Sequence, residues 1–294
     1  MRKALKWIGL SLGAVIGVAL VAGIVLGLIG RSRLDGRYQV AATLPSDAVA
    51  GASVEMGARI AVTRGCTECH AEGMKGRVFL DIPPGLIVAP NLTRGRGGVG
   101  ARYASADDWD RAVRYGVRPD STLLVPFMPY DFFNRLSAAD AASVAAYLAS
   151  LPPVDNELPA TKLRPPGYIM IGMPNMSPSA RLAELNKPRT TPAPGPTADY
   201  GRYLASTTCV GCHSENMLGG PHFDPAGKPA PGLSHVGAWS REDFVRAMRT
   251  GVAPGERQLT DWMPWKMYAR FTDDELTALH EYVKTIRPPG AGSE

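Results

Sequence analysis

The chain contains two copies of one sequence unit, and this repeat limits the fold more than any other feature. Residues 109–147 align with residues 244–282 at a constant offset of 135, without a gap. Upstream, Cys66-Thr67-Glu68-Cys69-His70 aligns with Cys209-Val210-Gly211-Cys212-His213 at an offset of 143. Because self-similarity at a fixed spacing indicates repeated structural units, we expect two tandem domains of the same fold.

Each copy places a histidine directly after a pair of cysteines, and the two pairs contain all four cysteines of the chain. Two cysteines at this spacing reach the two vinyl groups of one porphyrin, and the adjacent histidine then lies under the ring to ligate its iron. A disulfide framework is typical of smaller, cysteine-dense chains, and a thioredoxin-like site needs a βαβ context. A zinc site needs further ligands, whereas the remaining histidines lie in or near the second copy. The motifs therefore predict two covalently bound haem c groups, held by Cys66, Cys69, His70, Cys209, Cys212 and His213.

The sixth ligand of each iron must come from the opposite side of the porphyrin, which the chain reaches only after a long excursion. Met128 and Met263 occupy the same register of the repeat, and each is followed by proline. We predict that these two methionines are the metal ligands opposite the histidines, an arrangement that favours ferrous iron. Four other methionines are not predicted to be ligands. One pair follows its histidine by only four residues, too closely to cross the porphyrin, and the other pair falls at core positions of the repeat. The four are Met74, Met217, Met248 and Met267.

Two prolines that follow the cysteine motifs are candidates for orienting the histidines. A backbone carbonyl at Pro90 or Pro231 is predicted to accept the Nδ1–H of the proximal histidine and fix its tautomer. The histidines outside the motifs are interpreted as surface or loop residues, with replacement of Met263 by one of them as the alternative. These are His222, His235 and His280.

Each copy contains the pattern of three helices around a long irregular loop, which predicts a mainly α fold. Apolar spacing and capping residues place helices in the first copy over residues 53–64, from 105 to about 116, and from 137 to 152. The second copy repeats them over residues 197–207, 240–250 and from 272 to before 288. On the last helix of each copy, Tyr147 and Tyr282 are expected to pack against the first helix near Gly57 and Gly201. Ser137-Ala138-Ala139-Asp140 resembles a capping box with Asp in place of Glu.

The N-terminal segment predicts a membrane anchor. Residues 7–29 form an uncharged, mostly apolar run that reaches roughly 34 Å as a helix, against about 30 Å for a bilayer core. Arg2, Lys3 and Lys6 precede it and favour a cytoplasmic N-terminus. A cleaved signal peptide is the alternative, although its apolar region would be shorter. We expect a single-pass inner-membrane protein with its haem domains on the periplasmic side, where haem of this type is attached.

The expected domain boundaries follow from these patterns. Residues 1–50 form the anchor and juxtamembrane linker, 51–155 the first domain, 156–196 a Pro-rich linker and 197–294 the second domain. The stretch 152–196 contains 11 prolines and is expected to be a semi-rigid extended connector with one short helix near 179–186. Residues 51–151 carry a net charge of +1 and residues 197–287 carry −1. Because neither domain is basic, a nucleic-acid partner has no electrostatic basis.

The combination of motifs resembles class I cytochrome c. Gly57, the first cysteine motif, Pro90-Asn91-Leu92, Met128-Pro129 and the terminal helix carry this resemblance, and the second copy repeats the pattern. A more specific run is similar to the cytochrome c subunits of membrane-bound alcohol, aldehyde and gluconate dehydrogenases. It comprises Asn91-Leu92-Thr93, a Gly-rich stretch, Trp109, Arg114-Tyr115-Gly116 and Met128-Pro129-Tyr130. Those subunits typically carry three haems and a C-terminal anchor, whereas this chain has two haem motifs and an N-terminal apolar segment.

The resemblance implies an electron-transfer protein that itself rearranges no bonds. Its expected redox partners are a periplasmic dehydrogenase or quinol-oxidising complex as donor, and a terminal oxidase or soluble cytochrome as acceptor, with membrane lipid around the anchor. One alternative is the dihaem subunit of a cbb-type cytochrome oxidase, which similarly has an anchor before two haem c domains. Another is a dihaem peroxidase, but that reaction needs an iron with an open or displaceable position, and the paired Met-Pro positions argue against one.

Overall fold

The chain forms one long N-terminal helix followed by two similar helical units, and the computed structural model describes residues 2–40, 44–185, 190–221 and 227–287. The helices up to the end of the first unit are α1 Arg2–Asp35, α2 Ser46–Ala50, α3 Val54–Thr63, α4 Cys66–His70, α5 Ala106–Tyr115, α6 Tyr130–Phe133 and α7 Ala138–Ser150. The later helices are α8 Pro165–Gly172, α9 Pro178–Leu185, α10 Ala198–Ser206, α11 Val210–His213, α12 Arg241–Thr250, α13 Trp265–Tyr268 and α14 Asp273–Val283. The strands are β1 Arg77–Ile82, β2 Gly85–Ala89, β3 Lys162–Leu163, β4 Val252–Ala253 and β5 Arg257–Gln258.

The first helix extends beyond the apolar run at both ends. Its most apolar window has a mean hydropathy of 2.7, and none of that window is buried in the protein. α1 is therefore long and apolar enough to cross a membrane, a property that signal sequences near an N-terminus share.

The predicted helices are present in both units and begin at the predicted caps. The side chain of Ser53 accepts a hydrogen bond from the backbone of Met56 at the start of α3, and Ser105 forms a complete capping box with Asp108 at the start of α5. α5 ends at Gly116, whose φ of +68° lies in the left-handed region that glycine adopts most easily. In the second unit, Thr272 forms a capping box at the start of α14. These caps supply partners for backbone N–H groups that a helix end leaves unpaired.

In each unit the first and last helices cross at a glycine. A Cβ atom on Gly57 would collide with the carbonyl oxygen of Ser143 and with the Cβ of Tyr147, so α3 and α7 pack backbone to backbone. At the equivalent crossing of α10 and α14, Gly201 meets the carbonyl of Ala278 and the Cβ of Tyr282. The predicted packing of the two tyrosines near the two glycines is thus confirmed.

The connector differs from the extended segment that its prolines predict, because it packs along the first unit. β3 pairs with β2, which makes a three-stranded antiparallel sheet in the order β1-β2-β3. α9 corresponds to the predicted short helix, and its Leu182 and Leu185 are buried in a small apolar cluster with Tyr115 and Tyr130. These contacts offset the conformational entropy that the connector loses on folding.

α8, which the sequence patterns did not predict, packs on the C-terminal half of α1. Gly30 of α1 lies against the carbonyl of Tyr168, and Gly172 of α8 lies against the carbonyl of Leu26. At the end of α8 the guanidinium of Arg33 donates to the carbonyl oxygens of Ile171 and Met173, at 2.7 and 2.6 Å. Small residues permit this close approach of two backbones, and Arg33 binds carbonyl oxygens at the C-terminal end of α8.

The two units also contact each other, and this contact changes one predicted cap. Ser137 accepts from the backbone N–H of Asp140 at 3.0 Å, as the capping-box pattern predicts. The reciprocal hydrogen bond is replaced by Tyr203 of the second unit, whose hydroxyl accepts from the Ser137 N–H at 3.0 Å and donates to the Asp140 carboxylate. The capping box thereby becomes part of an interface between the two units.

Candidate haem sites

Both cysteine motifs fold as a short helix that ends on the histidine. α4 begins at Cys66, after Gly65, which has a φ of +76°, and α11 begins one residue later in its motif, at Val210 after Cys209. The residue after each histidine is strained in the same way: Ala71 has φ +60° and Ser214 has φ +63°. A positive φ at a residue other than glycine costs about 1–3 kcal/mol, and its recurrence in both units shows that the surrounding fold holds the turn.

The two histidines are buried and face proline carbonyls. His70 Nδ1 lies 2.9 Å from the carbonyl oxygen of Pro90, and His213 Nδ1 lies 2.9 Å from that of Pro231. Because a carbonyl oxygen only accepts, Nδ1 carries the hydrogen, and the lone pair of Nε2 is available to a metal. Burial lowers the pKa of both histidines, against a smaller opposing effect of the proline hydrogen bond. Both imidazoles are therefore neutral and fixed in one tautomer at pH 7, as an iron ligand must be.

The cysteines are partly buried thiols, none of which forms a disulfide. Burial raises the pKa of Cys66 to about 12 and that of Cys209 to about 12, and it also raises the pKa of Cys69 and Cys212. The four side chains are therefore protonated thiols at neutral pH. An S–H group adds across a vinyl double bond to give a thioether, which is the linkage of haem c.

In the second unit an apolar cavity of about 270 Å³ brings the predicted site residues together. Cys209, Cys212, His213, Pro231 and Met263 all contribute to its wall. The rest of the lining is mainly apolar and includes Trp239, Phe244, Leu259, Trp262 and Leu279. A flat apolar macrocycle suits such a wall, so the residues present fit a haem. When bound, haem would supply a one-electron couple that the surrounding side chains shield from water.

The six methionines considered as iron ligands fall into three pairs. Met128 is half-buried and packs, together with Cys66, against the core cluster of the first unit, while Met263 lines the cavity of the second. Met74 and Met217 are fully buried directly after the motifs, at 0% and 1% exposure, and their positive φ values match. Their burial directly after the histidines indicates core packing.

Met248 and Met267 each pack in the core and make a second contact as well. Met248 reaches from α12 into the same cavity as Met263, so it lines the site in addition to packing in the core. Met267 packs against the core of the second unit and lies beside Gly65 of the first. Ligation by Met128 and Met263 remains a prediction.

One interpretation of the remaining histidines is wrong. His280 is only 4% exposed on α14, its Nε2 lies 3.0 Å from the carbonyl of Trp239, and its ring packs on Phe244. It is a core residue rather than a surface one. His235 is exposed at the mouth of the cavity, and His222 lies outside the described residues.

The sequence patterns also missed one residue beside the motifs. Arg64, the residue that ends α3, is 6% exposed and lies with its guanidinium 5.2 Å from the centre of the Phe271 ring in the second unit. Its place two residues before Cys66 was visible in the sequence. Its closeness to the second unit depends on how the two units dock, which no local pattern predicts.

The fold and the sites define a class of protein. Two small α-units each close a helical core over a Cys-x-x-Cys-His helix whose histidine is oriented by a proline carbonyl, as in c-type cytochromes. The sequence model of the cytochrome c family matches residues 54–152 and 198–287, and the chain belongs to this family. The prediction of covalently bound haem c as the cofactor is thereby confirmed. Its attachment through the residues of the two motifs remains a prediction.

Several curated proteins are similar to this chain. The alcohol dehydrogenase (quinone) cytochrome c subunit of Gluconacetobacter polyoxogenes is 30% identical over 81% of this chain and 56% of its own length. The fructose dehydrogenase cytochrome subunit of Gluconobacter japonicus is 29% identical over 68% of this chain and 45% of its own length. A dihaem c-type cytochrome of Cereibacter sphaeroides is 24% identical over 94% of this chain and 98% of its own length.

These relatives support the predicted class of activity. The chain spans about half the length of the alcohol dehydrogenase subunit that it matches. These relatives are cytochrome subunits of dehydrogenases or, in one case, a dihaem cytochrome, which confirms the prediction of an electron-transfer protein.

Proposed function

We propose that this chain is a membrane-anchored dihaem electron-transfer subunit. It takes electrons from a periplasmic dehydrogenase or quinol-oxidising complex and delivers them to a terminal oxidase or a soluble cytochrome. The observation that carries this proposal is the repetition of one haem-site geometry. In each unit a buried histidine, held at 2.9 Å by a proline carbonyl, ends a cysteine-motif helix, and a Met-Pro pair recurs at one register of the repeat.

In this proposal each residue type has one role. Cys66, Cys69, Cys209 and Cys212 attach the two haems, and His70 and His213 ligate the irons through Nε2. Pro90 and Pro231 hold the imidazoles in place through their carbonyl oxygens. Met128 and Met263 would supply the second protein ligand of each iron, which would favour the ferrous state and leave no position open to a substrate. An iron with two protein ligands is suited to electron transfer. It argues against the peroxidase alternative, because that reaction needs an open or displaceable position on the iron.

The location rests on α1 and on the chemistry of haem attachment. α1 is an exposed apolar helix of 34 residues, and Arg2, Lys3 and Lys6 lie at its start. We propose that it is retained as a single membrane span, with both cytochrome domains on the periplasmic side. Domain boundaries at residues 50, 155 and 196 belong to the same proposal.

A dehydrogenase partner is supported by the named relatives. Several of them are cytochrome subunits of alcohol, fructose or gluconate dehydrogenases, so their partners oxidise small organic substrates. We propose that this chain likewise receives electrons from a dehydrogenase subunit. The dihaem cytochrome that matches along almost its full length supports a two-haem module.

Purification from membranes tests the proposed function. Full-length protein with a C-terminal affinity tag is extracted in mild detergent from its native host, and co-purifying subunits are identified by mass spectrometry. We expect a dehydrogenase subunit, and addition of that subunit's substrate should reduce both haems in the purified complex. Recovery of the catalytic subunit of a haem-copper oxidase without a dehydrogenase would favour the oxidase-subunit alternative. Rapid stoichiometric binding of carbon monoxide to one haem of the intact reduced protein would overturn the closed-site assignment.

A further inference from the structure

The two cytochrome domains face each other through equivalent residues. Arg59 of α3 forms an ion pair with Glu275 of α14. Tyr203 occupies the position of Arg59 in α10, six residues after the N-cap, and hydrogen-bonds Asp140, which occupies the position of Glu275 in α7. The same pair of positions is thus in contact twice, with the two domains exchanged. Two-fold symmetry produces such pairs of contacts, so an approximate two-fold axis runs between the domains.

This arrangement brings the two cysteine motifs to the interface. A Cβ atom on Gly211, within the second motif, would lie 3.4 Å from the ring of Phe132 in the first domain. On the other side, a Cβ atom on Gly65, directly before the first motif, would lie 3.6 Å from the sulfur of Met267, which is the repeat equivalent of Phe132. The second motif and the residue before the first motif therefore lie against the opposite domain.

Arg64 lies between the two motifs. It directly precedes Gly65-Cys66 in the first domain, and its guanidinium packs on Phe271 of the second. Burial and the neighbouring Cys69 raise the pKa of Cys66, and burial raises that of Cys209; the charge of Arg64 acts in the opposite direction on both thiols. One cation therefore acts on a cysteine of each haem site.

The charge of Arg64 is poorly compensated by protein groups. Its Nε has no hydrogen-bond partner, and its Nη1 donates to Thr63 Oγ1 at 2.8 Å. Within the described part of the chain, no carboxylate forms an ion pair with it. The equivalent residue of the second domain is Thr207, so the repeat supplies this cation only once. Burying an unpaired charge opposes folding, which makes a structural role alone a poor explanation for it.

We propose that Arg64 is a shared electrostatic residue that favours the reduced state of both haems. The proposal rests on the two haem sites proposed above. Thioether bonds would attach each porphyrin to a cysteine, Cys66 or Cys209, on which the charge of this guanidinium acts. Each ferric haem carries one more positive charge than the ferrous form that it becomes on gaining one electron, so a fixed cation in a buried setting repels the ferric form more. Because Arg64 acts on both sites, it raises the two potentials together and changes their difference little.

Redox titration of the intact holoprotein tests this role. Arg64→Gln removes the charge, and we expect both midpoint potentials to shift to lower values when followed by visible absorption. Arg64→Lys retains the charge and should restore most of the shift. Arg135→Gln is the matched control, since it removes an interface cation that is paired with Glu215. The smaller shift in midpoint potential in Arg135→Gln should disappear at high salt, whereas the shift in Arg64→Gln should persist because Arg64 is buried.

Two results would overturn the proposal. One is a shift at a single haem or at neither; the other is an equal fall in Arg64→Gln and Arg64→Lys, which would assign the effect to packing. If Arg64→Gln does not fold, Arg64→Met keeps a long side chain over Phe271 without a buried charge and is titrated instead. Haem content and the visible spectrum are measured first, so that a damaged haem site is recognised. Failure to co-purify a dehydrogenase would refute the proposed function and leave this titration unaffected.

Discussion

At the scale of single residues, the two proline carbonyls show how much chemistry one hydrogen bond fixes. His70 and His213 have the same Nδ1 distance of 2.9 Å to Pro90 and Pro231, although the loops that carry the prolines differ. The hydrogen bond sets the tautomer and aims Nε2 into the apolar space where an iron would lie. This hydrogen bond does not set the ligand on the other side of each iron, which is predicted to be Met128 or Met263.

Replacement of the distal methionines tests this part of the site directly. Met263→Leu preserves volume and should cost less than about 1.5 kcal/mol in stability. We expect it to abolish about half of the weak near-infrared Met-to-iron band of the ferric protein and to open one haem to carbon monoxide, because leucine has no donor atom. The band is measured by absorption on concentrated ferric protein. Met128→Leu should have the same effect at the other haem.

The matched control is Met248→Leu, since Met248 lines the same cavity from another helix. This change should leave the band and the closed sites intact. Loss of the band in Met248→Leu with retention in Met263→Leu would transfer ligation to Met248.

The residues that were misjudged from the sequence show where local patterns stop being informative. His280 lies one turn after Leu276 and one turn before Val283, so helical periodicity already placed it on the buried face of α14. Its interpretation as a surface residue gave weight to residue type over spacing. Arg64 is different, because the end of a helix gives no hint that a second domain will cover it.

At the scale of elements, the glycine at each helix crossing carries the packing of a whole domain. Gly57→Ala places a methyl group against the carbonyl of Ser143 and the Cβ of Tyr147, so α3 and α7 must separate. We expect a loss of about 1–3 kcal/mol in the free energy of unfolding, or failure to mature as a haem protein. Urea unfolding followed by circular dichroism measures the loss.

Gly211→Ala serves as the control for this crossing. It also adds a methyl group to a helix, but its Cβ would meet the nearest atom at an ordinary 3.4 Å. It should be tolerated within about 1 kcal/mol. Equal destabilisation by the two changes would show that the crossing is not the cause.

Capped helices were predictable at this scale, and the strands and the connector were not. Ser53, Ser105 and Thr272 mark helix starts through bonds to neighbours three residues away, which a sequence shows directly. β2 is paired on one side by β1 and on the other by β3, a segment about 75 residues further along the chain. α6 and α13 are single turns after the Met-Pro pairs, too short for periodicity to detect.

At the scale of the whole molecule, the two-fold interface should couple the stabilities of the two domains. Tyr203→Phe removes the hydroxyl that joins the Ser137 N–H to the Asp140 carboxylate. Leaving these half-buried partners without their hydrogen bonds should cost about 1–3 kcal/mol and make unfolding of the two domains less cooperative. Calorimetry of the holoprotein should show a broader transition or two transitions.

The control for the interface is Tyr200→Phe, on the same helix and of similar burial. Within the described part of the chain, the hydroxyl of Tyr200 forms no hydrogen bond, in contrast to the hydroxyl of Tyr203. We expect little change in stability. An effect as large as that of Tyr203→Phe would indicate general sensitivity of α10 instead of a specific link between domains.

We also predict that α1 anchors the whole molecule in the membrane. Full-length protein should stay with the membrane after alkaline carbonate washing, because α1 is apolar along its exposed length. Deletion of residues 1–34 behind a cleavable signal sequence should yield a soluble periplasmic protein with two haems per chain, counted by the pyridine haemochrome assay. Full-length expression that gives soluble protein with a processed N-terminus would show that α1 is a signal peptide.

The contact between α8 and α1 restricts how the haem domains would search for a partner. A cytochrome on a loose tether sweeps a hemisphere above the bilayer and meets partners at many heights and angles. Here Arg33 and the Gly30 and Gly172 contacts join the connector to the C-terminal half of the anchor, and β3 joins the same connector to the first domain. With α1 in the membrane, such a chain samples little beyond lateral diffusion and rotation about the membrane normal. A partner must then present its own redox centre at one matching height above the lipid surface.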